Sequence, residues 1–320
     1  MFFILLPSLN KQMLKPLLHN KLNKAAAEKV LANEKFKRLV ISFYRYVKIE
    51  DTKGLRNLLF EEWSKLSVLG RVYIANEGIN AQVSIPEPHL NRFKDLIGSI
   101  SLLKGIELKF GTEKNKVSFY KLSIKVKKQI VADGLKETDF NINNIGKKLS
   151  ALDWNKKMDD GAIVVDMRNH YESEVGHFNG AVLPQSVTFR EELPMVVDLL
   201  KGKENNTVML YCTGGIRCEK ASAYLKHNGF KDVNQLDGGI INYVKSVKEN
   251  NLENKFKGLN FVFDARMSER VTDDVISKCH QCGSPCDKHI NCANLQCNLL
   301  FIQCERCSKK NQNCCSPECV

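Results

Sequence analysis

Residues 211–220 read Tyr211-Cys-Thr-Gly-Gly-Ile-Arg-Cys-Glu-Lys220. The run before them, Thr207-Val-Met-Leu-Tyr211, has the apolar, β-branched content of a short buried strand. Residues 219–228 after them have helical composition, with Gly229 placed as a C-terminal cap. Cys212 therefore sits where a strand gives way to a helix. Gly214 and Gly215 let the loop Cys212, Thr213, Gly214, Gly215, Ile216 curl without Cβ clashes, so successive backbone N–H groups converge on one centre. The helix starting near Arg217 adds its positive dipole end. Such a cradle stabilises a sulfur anion and depresses the thiol pKa. Arg217 adds a fixed charge and a fork of donors for an anion. The expectation is a Cys212 sulfur held negative and open to solvent. The plainer alternative is a buried structural cysteine in a Gly turn. Cys218, six residues further on, either resolves an oxidised Cys212 as a disulfide or packs behind the loop.

Outward from the loop, strands alternate with helices. Ala162-Ile-Val-Val-Asp166 and residues 233–236 read as strands, and a helix begins at Ile240. This alternation implies a parallel sheet, whose ligand sites lie beyond the strand C-termini. Asp166 and Arg168 are expected to pair with each other or with the loop backbone, in a supporting role. His177 reads as a hydrogen-bonding loop residue rather than a base. Upstream, residues 141–149 are polar and Asn-rich, a linker. Before it come a strand at 39–47, a helix at 51–65 after Asp51, strands at 71–75 and 79–85 around a tight turn, a helix at 88–100, a strand at 106–110 and a long final strand at 117–131. The first six of these run βαββαβ, which fits a ferredoxin-like split βαβ sandwich. Residues 11–38 read as a basic amphipathic helix. The expected units are a basic arm (1–38), a ferredoxin-like domain (39–140), a parallel α/β domain (149–250) and a Cys-rich tail (275–320).

The chain has 320 residues, 43% hydrophobic and 26% charged, with only 19 Gly and 8 Pro. That excludes a collagen-like or wholly disordered protein and supplies more than one core. The apolar start at residues 1–10 is too short to span a membrane and lacks the basic flank of a secretory signal, so a soluble, cytoplasmic protein is expected. The net charge of +12 is uneven: +13 over residues 1–148 against −1 over 149–320. A one-sided basic excess suits a polyanion, since each phosphate neutralised releases counterions; a solvated lysine-rich surface is the alternative.

Ten of the twelve cysteines lie between Cys279 and Cys319. Cys279-His-Gln-Cys282 and Cys304-Glu-Arg-Cys307, with 21 residues between them, have the spacing of a zinc ribbon, each pair supplying two tetrahedral corners. Cys286, His289, Cys292, Cys297, Cys314, Cys315 and Cys319 offer a second site. Two structural zinc ions are the expectation; an iron–sulfur cluster and redox cysteines are the rivals. A tail this poor in core residues needs such a staple.

The central loop is similar to the active-site loop of a rhodanese domain, with Cys212 at the sulfur-carrying position. Val165-Asp-Met-Arg168, Glu172, Gly176-His-Phe-Asn-Gly-Ala181 and Leu236-Asp-Gly-Gly-Ile240 resemble other rhodanese elements. With Arg217 and Cys218 in the loop, and Phe43-Tyr-Arg-Tyr46 and Glu77-Gly-Ile-Asn80 in the first domain, the chain resembles the tRNA uridine hydroxylase family. The resemblance runs from about residue 39 to 250, and the Cys-rich tail is similar to that of longer family members. It implies oxygen-dependent 5-hydroxylation of the wobble uridine, with tRNA as partner and dioxygen as co-substrate. The residues themselves predict sulfur chemistry, since Cys212 could hold a persulfide. No two-His-one-carboxylate set or dinucleotide fingerprint is present. Thiolate addition to uracil C6, which makes C5 nucleophilic, bridges the two. Three readings follow: a tRNA-modifying enzyme, a sulfurtransferase acting on tRNA or small thiols, and a zinc-binding adaptor. Retained Cys212 and Arg217 argue against the third.

Overall fold

Alternation along Arg38–Tyr46 (β1) puts Ile41 and Phe43 on one face and Ser42, Tyr44 and Tyr46 on the other. The computed structural model describes residues 20, 22–111, 117–135 and 140–320. Helix α1 (Lys24–Ala32) precedes β1, and α2 (Thr52–Lys65), β2 (Leu69–Ala75), β3 (Gly78–Pro86), α3 (Leu90–Ser99), β4 (Lys109–Phe110) and β5 (Leu122–Val126) follow it. The sheet order is β4-β1-β3-β2-β5. The apolar face packs on α2 and α3, where Trp63 meets Phe43 and Phe93 at ring separations of 6.3 and 5.3 Å. Asp51 caps α2 through the Gly54 N–H. The βαββαβ order holds, with β5 added beside β2.

Several sequence expectations are shortened. Among the described residues of the arm, α1 is the helical part, ended at Asn33; residues 1–19 and 21 lie outside the described ones. The strand expected at 106–110 pairs only through Lys109 and Phe110. The long strand at 117–131 pairs with β2 only over Leu122–Val126, because β2 itself ends at Ala75. Part of the expected linker, Lys147–Leu149 (β6), is an edge strand.

β6 begins the second unit, followed by α4 (Ala151–Asp159), β7 (Ile163–Asp166), α5 (His170–Glu174), β8 (Gly176–Phe178), α6 (Phe189–Leu199), β9 (Thr207–Tyr211), α7 (Ile216–His227), β10 (Asp232–Leu236) and α8 (Gly239–Asn250). Four strands form a parallel sheet in the order β6-β10-β9-β7. One face packs on α6 and α7 through Leu193, Val196, Ala221 and Leu225; the other packs on α4 and α8 through Trp154, Ile240 and Tyr243. Strand β9 delivers Cys212 at its C-terminal end, where such sheets bind ligands.

β11 (Phe256–Phe261) pairs with β8 and with β12 (Ser268–Arg270), tying the tail to the second unit. The tail proper holds β13 (His289–Asn291), β14 (Leu300–Ile302) and α9 (Glu305–Lys310). Among the described residues no helix is long and apolar enough to cross a membrane.

Candidate active site and metal sites

The loop after β9 turns on Gly215, in the left-handed region at φ +96°. Its carbonyls point away from the sulfur. Those of Cys212 and Thr213 accept from the Ile240 and Ile241 N–H groups of α8, at 3.0 and 3.2 Å. The Gly215 N–H is thereby left aimed at Cys212 Sγ, 3.1 Å away, and the Arg217 N–H also donates to the sulfur. Burial works against the thiolate, but the Cys218 thiol, the Arg217 charge and these two N–H groups outweigh it and bring the Cys212 pKa down to about 5. Cys218 moves the other way: burial and its bond to the Cys212 sulfur raise its pKa well above the ordinary thiol value. The two thiols are neighbours, Cys218 the donor and Cys212 the acceptor.

Two expectations need correction. Cys212 is not open to solvent: it is fully buried, and reaches a ligand only as part of the lining of a cavity of about 380 Å³. The Arg217 fork is not free for an anion. Its Nη1 and Nη2 donate to Glu172 Oε1 and Oε2 at 2.6 and 2.9 Å, a bidentate pair inside the protein. Glu172 also closes a capping box on α5 with Asn169. Arg217 thus acts on Cys212 through its field and its backbone.

Asp166 and Arg168 form a second, fully buried pair. Arg168 Nε and Nη2 donate to Asp166 at 2.8 and 2.6 Å, Nη2 also reaches the Gly176 carbonyl, and the Tyr211 hydroxyl donates to Asp166 Oδ2 at 2.6 Å. The pair fastens β7 to β9 beneath the loop. His177 Nδ1 lies 2.8 Å from the Ser173 carbonyl.

The polar face of the first sheet covers the loop. Tyr44 Oη donates to Glu219 Oε1 at 2.9 Å, Tyr46 Oη to the Ile216 carbonyl at 3.2 Å and Lys109 Nζ to the Gly214 carbonyl at 2.7 Å. Lys220 is buried between Glu77 and Asp133, at 2.8 and 2.6 Å. Ser42, Tyr44, Asn80, Gln82 and Lys109 form one wall of the cavity and Cys212 to Gly214 another; Val262, Phe263 and Arg266, after β11, form a third. Lys109 and Phe263 carried no signal in the sequence, since neither belongs to a motif. Glu192 of α6 is another buried group the sequence did not reveal: among the described residues its carboxylate oxygens have no hydrogen-bond partner, and burial raises its pKa well above the usual range.

In the tail, Cys279, Cys282, Cys304 and Cys307 converge, as do Cys292, Cys297, Cys315 and Cys319, the sulfurs of each set all lying within 4.8 Å of one another. Four thiolates about a tetrahedral zinc ion sit about 3.8 Å apart. The Cys282–Cys304, Cys297–Cys315 and Cys315–Cys319 sulfur separations are each 3.6 Å. Backbone N–H groups point at the sulfurs, Cys304 to Cys279 and Cys315 to Cys292. Both sets fit one tetrahedral ion; a multi-iron cluster would spread its thiolates over separate irons. Cys286, His289 and Cys314 do not join either set. Cys286 packs beside Val175, Leu259 and Ile302. His289 is buried in β13 against the Phe261 ring, where burial lowers its pKa to about 4. The Cys314 thiol donates to the Cys319 carbonyl at 3.1 Å.

The comparisons with known proteins agree with this arrangement. Residues 38–130 match the model of the UPF0176 acylphosphatase like domain, residues 150–246 that of the rhodanese-like domain, and residues 257–320 that of the rhodanase C-terminal region. A Leptospira interrogans protein named tRNA uridine(34) hydroxylase is 55% identical over 94% of this chain and 83% of its own length. The chain belongs to the tRNA uridine(34) hydroxylase family. A Yersinia pestis protein of that name is 49% identical over 95% of this chain and 86% of its own. A rhodanese-like domain from Anabaena is 18% identical over 36% of this chain and 80% of its own, with a TM-score of 0.28. The tRNA uridine(34) hydroxylase family thus combines the covering sheet, the cysteine loop and the Cys-rich tail seen here.

Proposed function

We propose that this protein is a tRNA-modifying oxidoreductase that hydroxylates C5 of uridine 34, with Cys212 as its nucleophile. The observation that carries this reading is a cysteine sulfur that accepts a backbone N–H bond at the wall of a cavity between two domains, in a chain of this family. Uracil C5 is not nucleophilic enough by itself. Addition of the Cys212 thiolate to C6 forms a C–S bond and moves the C5–C6 electron pair toward C5 and O4. The C5 carbanion adds to dioxygen as a peroxide; two electrons from a thiol-class reductant, with protons from solvent, cleave the O–O bond, so one oxygen stays on C5 as the hydroxyl and the other leaves as water. Loss of the C5 proton and departure of the thiolate restore the ring. The Gly215 and Arg217 N–H groups and the Cys218 thiol hold the sulfur anionic before attack and receive it afterwards. Glu172 keeps Arg217 in place, and Asp166 and Arg168 support the loop from below. The thiolate chemistry also suits a persulfide, but the relatives' names favour hydroxylation over sulfur transfer.

In this reading the basic first half, +13 over residues 1–148, meets the tRNA phosphates, and a cytoplasmic protein is in keeping with such a substrate. Two zinc ions held by the two four-cysteine sets brace the tail, with no part in the chemistry. Mass spectrometry of tRNA from a strain lacking the family's activity tests the reading. Expression of the wild-type chain is expected to restore a 5-hydroxyuridine mass shift, and Cys212→Ser to give none. Full modification by Cys212→Ser would end the proposed role of the thiolate.

A further inference from the structure

The sheet wall of the cavity carries two side-chain amides in series. Asn80 and Gln82 both stand on the outward face of β3, half-buried, and both line the cavity with Cys212. Asn80 Nδ2 donates to the Ile130 carbonyl at 3.3 Å, and Gln82 Nε2 donates to Asn80 Oδ1 at 2.5 Å. Ile130 is itself fixed, its N–H bonded at 2.6 Å to Glu77, which pairs with Lys220. A backbone carbonyl can only accept, so it sets which way Asn80 faces. Asn80 then presents only its oxygen to Gln82, which sets which way Gln82 faces. Among the described residues, the remaining Gln82 N–H and its Oε1 have no protein partner.

We propose that the Asn80–Gln82 relay is the uracil-reading element of this site, with Gln82 the residue that touches the base. This rests on the reading of the site as one that modifies uridine. Uracil offers an N3–H donor beside the O4 acceptor. Gln82, held as it is, offers Oε1 to N3–H and an N–H to O4. Cytosine offers the reverse, a lone pair at N3 and an amino donor at C4, so both contacts become repulsive. Rotating the Gln82 amide to suit cytosine breaks its bond to Asn80 and sets two amide groups with like ends together. A freely rotating amide would accept either base; the relay makes it selective. The geometry also agrees with the chemistry. N3 and C6 lie at opposite corners of the ring, so a base gripped at N3 by the sheet keeps C6 free to meet Cys212, which lines the same cavity.

The test uses the full chain and two anticodon stem–loop RNAs that differ only in U or C at position 34. Affinities are measured by fluorescence anisotropy, and each variant's melting temperature is recorded. The wild type is expected to prefer the U-containing RNA by at least about tenfold, the value of one well-made polar contact. Gln82→Met, similar in length but without donor or acceptor, is expected to reduce that preference to about twofold or less. Asn80→Ala, which leaves Gln82 but unlocks it, is expected to lose most of the preference while still binding the U-containing RNA. An unchanged preference in Gln82→Met with a wild-type melting temperature overturns the proposal; if that variant melts early, an unchanged preference in Asn80→Ala does so instead. A wild type that hydroxylates uridine 34 but binds both RNAs equally overturns this proposal alone. Absence of hydroxylation by the wild type overturns the parent reading.

Discussion

Cys212 and Cys218 share one hydrogen bond and divide its effect. The thiol of Cys218 stabilises the anion of Cys212, so a single buried site holds one thiolate and one thiol. The pKa of about 5 makes Cys212 almost fully ionised at neutral pH. Its alkylation by a small reagent, followed by mass spectrometry, is expected to stay flat from pH 8 down to about 6 and to fall through pH 5. Removing the donor in Cys218→Ala is expected to move that fall upward, by on the order of one pH unit. The linkage to folding has a definite sign. A thiol whose pKa is depressed on folding stabilises the native state most at pH above its unfolded value, and that contribution is lost as pH falls toward about 5. Glu172 is the other residue on which the loop depends. Glu172→Gln leaves the buried Arg217 guanidinium without its carboxylate and is expected to cost about 3–5 kcal/mol, read as a lowered melting temperature.

At the scale of elements, the loop is held by its neighbours rather than by its own residues. The first N–H groups of α8 take up the loop carbonyls, which frees the loop's N–H groups for the sulfur. Gly239, at φ +68°, makes this approach possible: a Cβ there would stand 2.5 Å from the Cys212 carbonyl oxygen. Gly239→Ala is expected to lower the melting temperature and to abolish tRNA modification, with the loss of activity exceeding that of the stability change. The strand–loop–helix order around Cys212 was legible in the sequence, because a buried strand, two glycines and a helix leave few other arrangements. The β1–β3 meander was legible for the same kind of reason, in its alternation. Contacts far apart in sequence were not: no periodicity announces that Lys109 reaches the Gly214 carbonyl or that Glu172 takes the Arg217 fork. The depth of Cys212 was hidden too, since the loop is covered by Tyr44 and Tyr46 from a distant part of the sequence, Tyr46 reaching Ile216 across 170 residues. In the tail, spacing grouped Cys279, Cys282, Cys304 and Cys307, whose sulfurs the fold brings together, but could not separate Cys292, Cys297, Cys315 and Cys319 from Cys286, His289 and Cys314, which only the packing distinguishes.

For the whole molecule, charge and metal are separate levers. The basic first half predicts that tRNA affinity falls linearly on a log–log plot as salt rises, by about tenfold or more between 50 and 200 mM, in a filter-binding titration. Metal analysis of the purified chain is expected to give two zinc ions per protein. Cys282→Ser is expected to reduce this to one, and Cys286→Ser to leave both, since Cys286 stands outside the two sets. Chelation is expected to unfold the tail and, because β11 leads straight to Phe263 beside Arg217, to weaken substrate binding as well.

The roofing of the loop by Tyr44, Tyr46 and Lys109 has a consequence for which nucleotides can react. A buried sulfur at the wall of a cavity between two domains is out of reach of any pyrimidine still stacked in a helix. Only a nucleotide that swings out about its own backbone can thread into the slot, and unpaired loop residues pay the least to do so. The same uridine placed inside a stem would therefore escape, and the shape of the RNA, before any letter is read, decides what is modified.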